Sequence, residues 1–91
     1  MLFENEAKEL KKAHWPRCDQ MADELAANGS KAVDALVFAS DSRTHHVRSA
    51  CLRALSSISP DAAITLAKKL LSDKAYEVRE TAAKILGVPT P

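Results

Sequence analysis

Apolar residues recur at helical spacing in six segments of this chain, separated by short polar or proline-marked breaks. The first segment sets Phe3, Ala7, Leu10 and His14 on one face, which predicts a helix over about 3–14. Trp15-Pro16 ends it, because the residue before proline avoids the α region, and Pro16 then suits the first turn of a second helix reaching about Ala27. Met21, Ala22, Leu25 and Ala26 are its stripe, and Asn28-Gly29 closes it. Ser30 is the expected cap of a third helix through Ala39, with Val33, Leu36 and Val37 inward. A fourth, about 44–57, presents Val47, Cys51, Leu52, Leu55 and Ile58. Ser59-Pro60-Asp61 supplies a cap, a first-turn proline and an acid at the positive dipole end, and so opens a fifth helix. That helix carries Ala63, Ile64, Ala67, Leu70 and Leu71. The sixth, about 75–86, turns Val78, Ala82, Ile85 and Leu86 inward and stops at Gly87 in a Schellman-type turn.

Two of these segments repeat one another. Val47-Arg48-Ser49-Ala50-Cys51-Leu52-Arg53-Ala54-Leu55 aligns with Val78-Arg79-Glu80-Thr81-Ala82-Ala83-Lys84-Ile85-Leu86 at a constant offset of 31. Upstream, Ser40-Asp41 matches Ser72-Asp73 if one residue is inserted in the first turn. An amphipathic hairpin cannot bury its apolar face alone, but stacked copies can, and a period of this length marks such an array.

The run Leu70-Leu71-Ser72-Asp73-Lys74-Ala75-Tyr76-Glu77-Val78-Arg79, followed by alanines and Ile85-Leu86-Gly87, resembles the short bacterial HEAT-like repeat, also known from pigment-lyase subunits. Asp41 through Leu55 is similar, and the likeness covers roughly 30–87. It implies an all-α fold: a right-handed α-solenoid of about three stacked helical hairpins forming one domain over 1–91. Residues 1–29 then read as a degenerate capping hairpin, with 30–58 and 59–88 as repeats. The resemblance further implies a ladder of turn aspartates and helix arginines, mapped onto Asp41 with Arg48 and Asp73 with Arg79. It also implies that the second helix of each hairpin lines the working face.

Composition narrows the function. The 91 residues are 46% hydrophobic but only 4% aromatic, so aliphatic side chains and alanine must fill the core. A net charge of +1 gives no general pull towards nucleic acid or anionic membrane. No apolar run approaches the roughly 20 residues of a membrane helix, and no signal peptide is evident, so a cytoplasmic location is the expectation. Cys18 and Cys51 do not make a disulfide framework; each lies among apolar neighbours as a small hydrophobe suited to a reducing compartment.

Catalytic patterns are missing. Only His14 is near a cysteine, Cys18, and no oxyanion loop or Gly-rich phosphate loop follows. Asp19, Asp23 and Glu24 read as a solvated helix face. Adjacent His45 and His46 point about 100° apart on a helix, so no metal site is expected of them, and no cofactor is implied. Trp15 is expected to cover the end of the core, or to act as an interaction hot spot if exposed.

The expected function is a non-catalytic protein-interaction or scaffold module. Candidate partner-binding residues on the second-helix face are Ser49, Arg53, Ser56, Glu80 and Lys84, with Arg53 and Lys84 as two positive charges in register and His45, His46 and Glu77 at the rim. One alternative is nucleic-acid binding through Arg43, Arg53, Lys84 and the Lys8, Lys11, Lys12 cluster. The other is a subunit or fragment of a larger repeat assembly.

Overall fold

The computed structural model describes residues 1–91. It contains six α-helices and no strand: α1 (Glu4–Lys11), α2 (Arg17–Ala26), α3 (Val33–Ala39), α4 (His45–Ile58), α5 (Pro60–Leu70) and α6 (Tyr76–Leu86). Local chemistry sets most boundaries. Ser59 Oγ accepts the Ala62 N–H at 3.4 Å and Pro60 opens α5, as the sequence requires. Gly87 takes φ 70°, and the Val88 N–H reaches the Ala83 carbonyl at 3.0 Å while the Gly87 N–H reaches that of Lys84 at 3.4 Å. These two bonds are the Schellman stop, satisfying carbonyls that would otherwise be orphaned.

The start of α3 differs from expectation. Ser30 does not cap it; Gly29, at φ 68°, leads into a 3₁₀ turn over Gly29–Ala32, and α3 begins only at Val33. The reversal is absorbed by glycine and the tighter turn, so no capping side chain is used.

The helices alternate between two layers. In one, α2 packs beside α4 and α4 beside α6; in the other, α1 lies against α3, and α3 touches α5. Each consecutive pair, α1–α2, α3–α4 and α5–α6, is a hairpin joining the layers, and the stack measures 34 × 25 × 17 Å. Leu10, Leu36, Val47, Leu52, Leu55 and Val78 are fully buried between the layers, interleaved with alanines from every helix. Small side chains allow close approach, which is how a chain almost without core aromatics fills its interior. Val37 and Ile64 face solvent rather than the core. On α5 the buried set is Ala63, Leu66, Ala67 and Leu70, an i, i+3, i+4, i+7 stripe that leaves Ile64 one step, about 100°, to the side.

Candidate functional site

The strongest polar contact joins two hairpins. From α4, Arg48 donates Nε to Asp73 Oδ2 at 2.8 Å and Nη2 to Oδ1 at 2.9 Å, with side chains only 9% and 7% exposed. Its Nη1 donates to the carbonyls of Ser42 and Arg43 at 3.0 and 3.1 Å. Asp73, in the turn before α6, also accepts the Ala75 N–H at 2.9 Å. Burial opposes its charge, but the Arg48 hydrogen bonds, the Ala75 N–H and the arginine's charge outweigh that penalty and hold its carboxyl below the ordinary range.

This geometry corrects the ladder expected within each repeat. Asp41 is exposed and forms no ion pair with Arg48, which reaches forward into the next hairpin instead. The residue equivalent to Asp73 is Ser42: its Oγ accepts the Thr44 N–H at 3.1 Å, as Asp73 accepts that of Ala75. Ser42 then donates to the Lys11 carbonyl at 2.6 Å, tying the first hairpin to the second without a charge. Nor does Arg79 pair with the Asp73 carboxylate. It donates Nη1 to the Asp73 carbonyl at 2.8 Å, matching Arg48 on Ser42, and Nε to a main-chain oxygen of Pro91 at 3.3 Å.

A second column lies at the starts of the α2, α4 and α6 layer, again 31 residues apart: Trp15, His46 and Glu77. The Trp15 and His46 ring centroids are 5.8 Å apart, and His46 Nδ1 lies 3.5 Å from Glu77 Oε2. His45 leans onto His46 with centroids 4.1 Å apart, and donor atoms of His45, His46 and Glu77 all fall within 4.8 Å. Sequence spacing had separated the adjacent histidines; at the first turn of α4 their rings nonetheless meet, and Glu77 arrives from α6. Trp15 is 60% exposed, so it does not cover the core, and Tyr76, at 58% the first residue of α6 and in register with His45, is exposed too, its ring 5.7 Å from the Arg79 guanidinium. Sequence reasoning passed over Tyr76, although its offset of 31 from His45 was there to be read.

The mid-helix candidates are dispersed. Ser49 is fully buried, its Oγ 3.4 Å from Thr81 Oγ1, and belongs to the α4–α6 packing rather than to an exposed face. Arg53 does not stand as a free charge beside Lys84; it turns to α2, where Nη2 meets Asp19 Oδ1 at 2.9 Å. Lys84 is exposed and shares a different shallow recess with Ser56, Pro60 and Ile64. Ser56 donates to its own helix at the Arg53 carbonyl, and Glu80 is half-buried.

The basic residues do not converge either. Lys8 pairs with Glu4 at 3.2 Å and Lys11 sits 4.5 Å over the Phe38 ring, both in the layer opposite Arg53 and Lys84. Cys18 and Cys51 are fully buried; burial, with Cys18 adding to it, pushes the Cys51 thiol up to about 12. Burial and then the charge of Asp19 raise Cys18 as well. Neither thiol is set up as a nucleophile.

Comparison with known proteins fits this architecture. A family model described as HEAT repeats matches residues 8–87. No curated protein and no solved structure matches the chain.

Proposed function

The chain belongs to the HEAT-repeat family, and from that premise we propose that it is a non-catalytic interaction module that binds a protein partner along the α2–α4–α6 layer. Repeats of this family serve generally as protein-interaction and scaffold modules. In this reading residues 1–29 act as the cap, with 30–58 and 59–88 as the two regular repeats. The observation that carries the proposal is the exposure of Trp15 and Tyr76 on one rim of that layer, in a chain with four aromatic residues in all. Large aromatic side chains that leave the core and stand at a surface are the residue types that dominate binding energy. His45, His46 and Glu77 complete the rim; Arg53 with Asp19, then Ser56, Glu80 and Lys84, provide a polar flank.

The test is affinity capture with nuclease present, comparing wild type with Trp15→Ala/Tyr76→Ala and with Arg53→Glu/Lys84→Glu. A defined protein partner lost with the aromatic variant supports the rim. Partners retained by both variants place binding elsewhere, and retention of nucleic acid alone removes the protein-binding reading.

One observation favours a second reading, a unit of a larger repeat assembly. Arg79 occupies the position of Arg48, yet the edge that Arg48 gives to a turn aspartate meets no aspartate, only a main-chain oxygen of Pro91 in an exposed contact. A turn aspartate from a following repeat or a partner hairpin would complete that rung. Light scattering that finds only monomer, and no gain in stability from an appended repeat, would sink it.

A further inference from the structure

We propose that His45, His46 and Glu77 bind a single divalent transition-metal ion of the zinc, nickel and copper class, clipping the second hairpin to the third. Two imidazoles and one carboxylate form a donor set suited to these borderline ions and poorly suited to calcium or magnesium, which take oxygen ligands. The geometry is partly set. His46 Nδ1 and Glu77 Oε2 are 3.5 Å apart, close to the separation of about 3.3 Å between neighbouring ligands of a tetrahedral ion with ordinary bond lengths. All three donors lie within 4.8 Å of one another, and His45, exposed at the first residue of α4, closes the remaining gap by rotation about its side-chain bonds.

Nothing in the fold spends these side chains elsewhere. The His45 and His46 rings form no hydrogen bond to the backbone, and the two contribute nothing to the buried core. The α4 N-terminus opposes a cation through its dipole, and Glu77 supplies the compensating charge from α6. Three protein donors on an open rim leave a further coordination position facing solvent, which water fills. The site is independent of whether the same rim holds a protein.

Trp15, 5.8 Å from the His46 ring, is a built-in reporter, since bound copper or nickel quenches an indole at such range. The experiment titrates the full chain with zinc and copper chlorides by calorimetry and by tryptophan emission. Saturation at one ion per chain is expected, with copper quenching Trp15. His46→Ala and Glu77→Gln should each weaken binding about tenfold or more, while His14→Ala, exposed next to Trp15 in the chain but outside the triad, changes it less than about twofold. Zinc at roughly a hundredfold excess over the wild-type Kd should raise Tm by about 10 °C in wild type and in His14→Ala, and by about half of that or less in His46→Ala and Glu77→Gln. Failure to saturate at one ion, or equal binding by the Glu77→Gln and wild-type chains, overturns the proposal as adventitious surface coordination. Both variants alter side chains outside the core, and matched helicity by circular dichroism verifies that each is folded. Loss of metal binding with partner capture intact, or the reverse, separates this site from the interaction surface.

Discussion

Arg48 and Asp73, 25 positions apart in the chain, meet in a two-pronged ion pair that bolts the second hairpin to the third. Both side chains are nearly out of water, so each charge depends on the other. Removing one partner strands the other, a loss of about 3 kcal/mol for a buried pair. Arg48→Ala is therefore expected to lower Tm by roughly 10–20 °C in a domain of this size. Asp73→Asn should cost less than Asp73→Ala, because an asparagine oxygen still accepts the Ala75 N–H. Thermal melts of the three variants check this order, and equal losses for the two Asp73 variants would count against it.

The same pair makes stability depend on acid. The Asp73 carboxyl is held below its ordinary value of 3.8, so the folded state binds its proton less readily than the unfolded chain does. Its contribution is complete well above that value and is lost as pH falls through it towards the lower folded-state value. Urea midpoints of wild type and Asp73→Asn should thus differ most near neutrality and converge as pH drops below about 4. A constant gap down to strong acid would show that the carboxylate charge is not what matters.

Arg79 shares Arg48's sequence context but not its environment. It meets no side-chain carboxylate: its acceptors are main-chain oxygens, that of Asp73 at 2.8 Å and, in an exposed contact, that of Pro91 at 3.3 Å. Arg79→Ala should therefore cost only about 0.5–1.5 kcal/mol, the net value of ordinary hydrogen bonds. Melting curves in which Arg79→Ala matches Arg48→Ala would reveal a carboxylate partner for Arg79 in solution.

This contrast shows what was legible in the sequence. The repeat, the six helices and the Ser59 and Gly87 signals depend on local chemistry, and all could be read directly. The rung could not, because matching by identity pulled Ser40-Asp41 onto Ser72-Asp73 and required an insertion. The backbone keeps the offset of 31 without one, and Ser42, unlike aspartate in charge, performs the same N–H capping. Ser49 looked like an exposed hydroxyl because periodicity on α4 left it off the stripe. Yet α4 is packed between α2 and α6 and buries two flanks, not one. His45, His46 and Glu77 were read together as rim residues, but their convergence into one donor cluster was not, for a different reason. Its third member comes from another hairpin, and helical spacing alone separates the first two.

Trp15 should behave as a surface residue. At 60% exposure its emission maximum is expected to lie far to the red in the folded state, near that of the unfolded chain. Trp15→Ala should change stability by less than about 1 kcal/mol, since little apolar area leaves the core. A blue-shifted maximum, or a loss of several kcal/mol, would return Trp15 to the core-covering role first expected of it.

The cysteines offer a probe of the whole stack. Cys51 is fully buried, and with its thiol pushed up to about 12 it holds almost no thiolate at neutral pH. A disulfide reagent should leave both thiols of the native protein unreacted over minutes and label both at once in guanidinium. Labelling then reports transient opening, at a rate set by the opening equilibrium when reclosing is fast. Since Asp73→Asn weakens the bolt between hairpins, it should speed Cys51 labelling by the factor that its loss of stability dictates, roughly tenfold per 1.4 kcal/mol. A rate that stays at the wild-type value while the melt shifts would mean that Cys51 is exposed by a local motion of α4 that leaves the Arg48–Asp73 pair intact.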